Sequence, residues 1–67
     1  MSEYLEYVGM QFRLERTKQR LTMQQLADKA KVHKKTINVI ENGQENSGIL
    51  YLKRVADALG LPLSHFV

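Results

Sequence analysis

"LTMQQLADKAKVHKKTINVIENG", residues 21–43, is the stretch that decides the fold. Thr22 stands just before apolar residues at helical spacing, and Gln25 follows at the interval of a capping box. In that device the hydroxyl accepts from a backbone N–H three residues on, and the glutamine reaches back to the cap. Leu21 and Leu26 take the two staple positions that close over such a start. These signals predict a helix from Thr22 to about Ala30 with Leu26, Ala27 and Ala30 inward, and the two alanines on that face let another helix approach closely. A second start follows at once. Val32 and Ile37 repeat the staple spacing, the helix begins after His33, and Gly43 is placed to end it near Asn42 in a left-handed conformation. With Ile37, Ile40 and Glu41 turned towards the body, a period of 3.6 residues leaves Lys34, Lys35, Asn38 and Val39 on the outward side. Two helices joined by so short a turn describe a helix-turn-helix spanning about residues 22–42.

Working outward, a first helix is expected from about Glu3 to Lys18, with Leu5, Val8 and Phe12 as its inward stripe. "QENSG", residues 44–48, reads as a polar loop. A fourth helix is expected from about Gly48 to Leu59, with Ile49, Leu52, Val55, Ala56 and Leu59 inward and Gly60 closing it. Pro62 then opens a short fifth element, Leu63 to Val67, that brings Leu63 and Phe66 over the core. One proline, four glycines and apolar spacings of three and four favour an all-α fold, with no repeats and no internal linker. The chain of 67 residues is read as a single domain, residues 1–67. A domain of this size buries only about 60% of the surface of its unfolded chain, so a compact, mostly local fold is favoured.

The net charge of +3 is unevenly spread: between Arg13 and Lys35 lie eight of the ten basic residues against two acidic ones. The middle of the chain is therefore where a polyanion would be drawn, although a solvated helix surface has the same composition. There is no cysteine, which removes disulfide and thiolate staples and fits a reducing cytoplasm. His33 and His65 lack the spacing of a metal site, so no metal and no cofactor is expected. No apolar run approaches the roughly 20 residues of a membrane span, and Glu3 and Glu6 replace the basic start of a secretory signal. No Ser, His and Asp set, paired acidic cleft or phosphate loop can be assembled, which argues against an enzyme.

The residues quoted above, followed by "LKRVADALGLPLSHF" at 52–66, resemble the Cro and phage-repressor type of helix-turn-helix domain, also called XRE-like. The resemblance runs through nearly the whole chain from about Val8. It implies a compact five-helix, lambda-repressor-like domain in a bacterial or phage-encoded, cytoplasmic regulator of transcription that associates with the nucleoid. Such a domain places its third helix in the major groove of double-stranded DNA, generally as a homodimer on two half-sites. Carried over residue by residue, His33, Lys34, Lys35 and Thr36 fall at the start of the recognition helix. Asn38 and Val39 fall one turn later, and Asn42 falls at its end, where the family contacts phosphate. Arg16 and Glu41 fall on a structural ion pair that ties helix 1 to helix 3. Four features depart from the pattern. Met23 replaces a phosphate-binding glutamine, with Gln24 beside it as the substitute. Arg20 and Lys31 stand where glycine often makes a left-handed turn. The loop at 44–48 has Glu45 and no basic residue. Leu14 and Glu15 are exchanged, which puts Leu14 on a different face from Phe12.

Each outward residue has a plain reading beside the functional one. Lys34 and Lys35 serve as donors to guanine, as phosphate contacts or as solvated charge, and positive charge at a helix start opposes the helix dipole. Val39 suits a thymine methyl or the edge of the core. His33 suits an N-cap or a DNA contact, and His65 suits surface or packing. Tyr7, Met10 and Leu14 form a second stripe on helix 1, and Leu50, Tyr51, Phe66 and Val67 are further candidates for a dimer or partner seam. Two functions follow: a sequence-specific transcriptional regulator reading a near-palindromic operator as a dimer, or a protein-interaction module such as a DNA-binding antitoxin of a toxin pair.

Overall fold

A computed structural model describes residues 3–44 and 46–67. Glu45, the acidic residue of the loop weighed above, lies outside the described residues, as do Met1 and Ser2. The described chain forms four α-helices, α1 (Glu3–Lys18), α2 (Met23–Ala30), α3 (Lys34–Asn42) and α4 (Ile49–Ala58), followed by a 3-10 turn over Leu63–His65. Five α-helices were expected, and the last element is the correction. It is one turn closed by i+3 bonds, from the His65 N–H to the Pro62 carbonyl and from the Phe66 N–H to the Leu63 carbonyl, both 2.9 Å. So short a segment has too few hydrogen bonds to propagate an α-helix.

The start of α2 carries the full capping box: Thr22 Oγ1 accepts from the Gln25 N–H at 3.0 Å, and Gln25 Oε1 accepts from the Thr22 N–H at 2.8 Å. Both non-glycine turns survive the departure from glycine. Arg20 (φ 58°) and Lys31 (φ 60°) adopt the left-handed conformation themselves, at a cost of roughly 1–2 kcal/mol each. Lys31 thereby ends α2, and its N–H returns to the α2 carbonyls. Gly43 ends α3 at φ 62°, and here glycine is needed twice over, because a Cβ would lie 2.7 Å from the Glu6 backbone. Gly9 likewise lets α1 touch α3, since a Cβ there would meet the Glu41 carbonyl oxygen at 2.6 Å.

The core gathers Val8 and Phe12 from α1, Leu26, Ala27 and Ala30 from α2, Ile37 and Ile40 from α3, and Val55, Ala56 and Leu59 at α4. Phe66 completes it. Phe66 is 1% exposed and stacks on Phe12 with ring centroids 4.0 Å apart, which removes it from any dimer seam and bears out its placement over the core. Ile49, expected inward, is 71% exposed. It is the first residue of α4, where the helix projects past the core, so the inward stripe begins at Leu52.

Candidate nucleic-acid interface

Helix α3 is fixed by its inner face. Ile37 and Ile40 are buried, and Glu41 receives Arg16 in a two-pronged pair, with Nε to Oε2 at 2.7 Å and Nη2 to Oε1 at 3.0 Å. The Glu41 side chain is 2% exposed and that of Arg16 11%, so the pair is nearly dry and the carboxylate holds the guanidinium pKa above its ordinary value. Arg16 also donates from Nη1 to the Leu21 carbonyl at 2.8 Å. One side chain thus ties α1, the entry to α2 and the back of α3 together. Gln19 adds a tie from the end of α1 to the Leu59 carbonyl at 2.7 Å.

The outer side of α3 borders an open groove of about 770 Å³ between α2, α3 and the start of α4. Gln24, His33, Lys34, Lys35, Thr36 and Val39 all line it, so six of the eight residues expected to contact DNA share one concavity. Asn38 and Asn42 do not line it. They lie exposed on α3, with Asn42 Nδ2 donating to Asn38 Oδ1 at 2.9 Å, and among the described residues the Asn38 amide hydrogens have no partner. Val39 is half-buried and lines the groove, so it belongs both to the core edge and to the outer wall. Gln24 donates to Asp28 Oδ1 at 2.9 Å and keeps its second amide hydrogen for another partner.

The electrostatics centre on the first turn of α3. His33 is the N-cap by backbone geometry (φ −74°, ψ 148°) but makes no side-chain cap bond. Lys34 and Lys35 follow it, exposed, and among the described residues neither side chain has a hydrogen bond or an ion pair. The first N–H groups of a helix have no carbonyl partner within it, and two lysines follow the cap, so this turn has the composition of an anion site.

Four residues not expected in the groove complete it: Asp28, Val32 (expected as a staple), Ser47 and Tyr51 (expected at a dimer or partner seam). A signal for the last two existed. Only six residues separate α3 from α4, so the chain entering α4 at Ser47 and the first turn of α4 at Tyr51 must lie beside α3. Elsewhere, Glu15 is buried and accepts from His65 Nε2 at 3.1 Å and Lys18 Nζ at 3.3 Å. The His65 bond leads in holding the Glu15 pKa below the ordinary carboxylate value, against the opposing effect of burial and with help from Lys18. The exchange of Leu14 and Glu15 therefore has a purpose: the acid turns in to the C-terminal turn, and Leu14 turns out. Tyr7, Met10, Leu14, Leu50, Tyr51 and Val67 are all exposed. Among the described residues no group of three His, Cys, Asp or Glu could hold a metal ion, and no helix is long and apolar enough to cross a membrane.

Comparison with solved structures gives the fold a precedent. The restriction-modification controller protein C.AhdI from Aeromonas hydrophila is similar with a TM-score of 0.89 at 24% identity, covering 94% of this chain and 96% of that one. The clp gene regulator ClgR from C. glutamicum is similar with a TM-score of 0.84 at 23% identity, covering 96% of this chain and 83% of that one. No curated protein matches the chain. The helix-turn-helix family model matches residues 12–66, which include the capped α2, the free lysines of α3 and the Phe66 that closes the core. The chain belongs to the helix-turn-helix family of the Cro and phage-repressor (XRE) type, a family of DNA-binding transcriptional regulators.

Proposed function

We propose that this chain is a sequence-specific transcriptional regulator that lays α3 in the major groove of operator DNA, acting as a homodimer on a near-palindromic site. The observation that carries the reading is the pair Lys34 and Lys35, whose side chains have no partner among the described residues, at the start of α3 where the helix dipole disfavours positive charge. A phosphate or a guanine edge resolves that conflict. Lys34 and Lys35 donate to guanine O6 and N7 or to phosphate, and His33 and Thr36 flank them on the same lip. Asn38 reads a base edge with its free amide hydrogens, Val39 packs on a thymine methyl, and Gln24 and Asn42 hold phosphate. Arg16 and Glu41 act indirectly by fixing the angle of α3. Two such domains place their α3 helices about 34 Å apart, or a multiple of it, on the half-sites.

The test is selection of bound duplexes from random sequence, followed by binding measurements across a salt series. A selected site that is palindromic, orders of magnitude tighter than random DNA and steeply salt-dependent supports the reading. Equal affinity of the wild type and the Lys34→Ala, Lys35→Ala double variant for that site removes α3 as the reader. A second reading, a protein-interaction module such as a DNA-binding antitoxin, is favoured by one observation: Tyr7, Met10 and Leu14 form an exposed stripe at helical spacing on α1. Substitution of Tyr7 and Leu14 should then abolish association with the fold intact, and unchanged association discards that surface.

A further inference from the structure

The groove has two walls, and the lysines belong to only one. The other comes from the entry to α4, where Ser47 of the preceding loop and Tyr51 of the first helical turn line the same space as Lys34, Lys35 and Val39. Tyr51 is 46% exposed, and among the described residues its hydroxyl has no hydrogen-bond partner. The Arg54 guanidinium carbon stands 5.8 Å from the centre of its ring, within cation–π range. The loop leading to α4, residues 44–48, contains no lysine or arginine, and Lys53, the nearest cation in sequence, is turned to Asp57 Oδ2 at 3.2 Å, which leaves Arg54 as the cation beside the Tyr51 ring. Asp28, the carboxylate among the residues lining the groove, lies on α2 and already accepts from Gln24.

We propose that Tyr51 and Arg54 form a clamp for the sugar-phosphate backbone on the α4 side of the groove, an inference that rests on the reading of this chain as a DNA-binding domain. The Tyr51 hydroxyl donates to a phosphate oxygen. Arg54, held over the face of the ring, brings the positive charge that the preceding loop lacks. Contacts of this kind carry no sequence information, but they fix register and orientation. A helix gripped along one edge is free to roll about its own axis. A second contact on the opposite wall removes that freedom and sets which of the α3 side chains meet base edges. The clamp assigns Tyr51 to the DNA and takes it out of the dimer seam suggested by its exposure.

The experiment measures binding of the 67-residue chain to its selected duplex and to a random duplex by fluorescence anisotropy over a salt series, with sedimentation run in parallel. Tyr51→Phe, which removes one oxygen from an exposed side chain, is expected to weaken both duplexes by about tenfold, the value of a hydrogen bond to a charged acceptor, and to leave their ratio unchanged. Arg54→Gln is expected to reduce the slope of log affinity against log salt by about one. Both variants should sediment as the wild type. Wild-type affinity in Tyr51→Phe and Tyr51→Ala overturns the clamp, and so does a loss of binding that merely follows a loss of dimer. Failure of the functional reading looks different: the wild type itself then shows no salt-sensitive binding to DNA, which overturns both. If the double lysine variant loses binding and the Tyr51 variants do not, the clamp alone falls.

Discussion

The two helices of the central motif begin in opposite ways. At α2, Thr22 and Gln25 satisfy one another's backbone N–H groups at 3.0 and 2.8 Å, and no charge intrudes. At α3, His33 offers no side-chain bond, and two lysines follow it against the dipole. The first start is closed by the chain itself; the second is left open. A local sequence optimised for stability alone would place an acceptor at residue 33 and acids after it. The difference marks α2 as the support and α3 as the surface held ready for an anion.

The comparison is broken most severely from behind α3. Arg16→Ala leaves the Glu41 carboxylate buried without its partner, and a loss of about 3–5 kcal/mol is expected in denaturant unfolding. A loss below about 1 kcal/mol would show that the pair does not hold α3 in place. Next in size, Thr22→Ala removes the cap of α2 and should cost about 1 kcal/mol, with DNA affinity unchanged once the protein is folded. A gain is expected at the turn between the helices. Lys31→Gly relieves a left-handed side chain and should stabilise by about 0.5–1 kcal/mol after allowing for the greater freedom of glycine in the unfolded chain. Smallest of all, His33→Ser supplies the missing cap at α3 and should stabilise by about 0.5 kcal/mol while weakening binding to DNA. Stronger binding in His33→Ser would mean that the open cap is not part of the anion site.

Most of the motif was legible because its signals are local. The capping box, the stop at Gly43 and the inward faces of α2 and α3 each depend on residues within one or two turns, and all appear where the spacing put them. The pair of Arg16 and Glu41 is 25 residues apart, and only the resemblance made it visible. Ile49 and Phe66 were misassigned, one as core and one also as seam. Periodicity gives the phase of a helix but not the point at which it leaves the core, and a short terminal turn has no periodicity to show which side chain packs. Glu15 carries the same lesson: its bond to His65 spans 50 residues, beyond the reach of any spacing argument.

Local chemistry along the chain makes it helical, sets where α2 and α3 begin and end, and puts lysines on one side of α3 and isoleucines on the other. Those outcomes follow from hydrogen bonds and side-chain spacing within a few residues. The stacking of Phe66 on Phe12, the bond between Glu15 and His65, and the second wall of the groove at Ser47 and Tyr51 come instead from long-range packing. Each of these depends on the rotation of α4 and the course of the C-terminal turn, which are set by packing between residues that lie far apart in the chain.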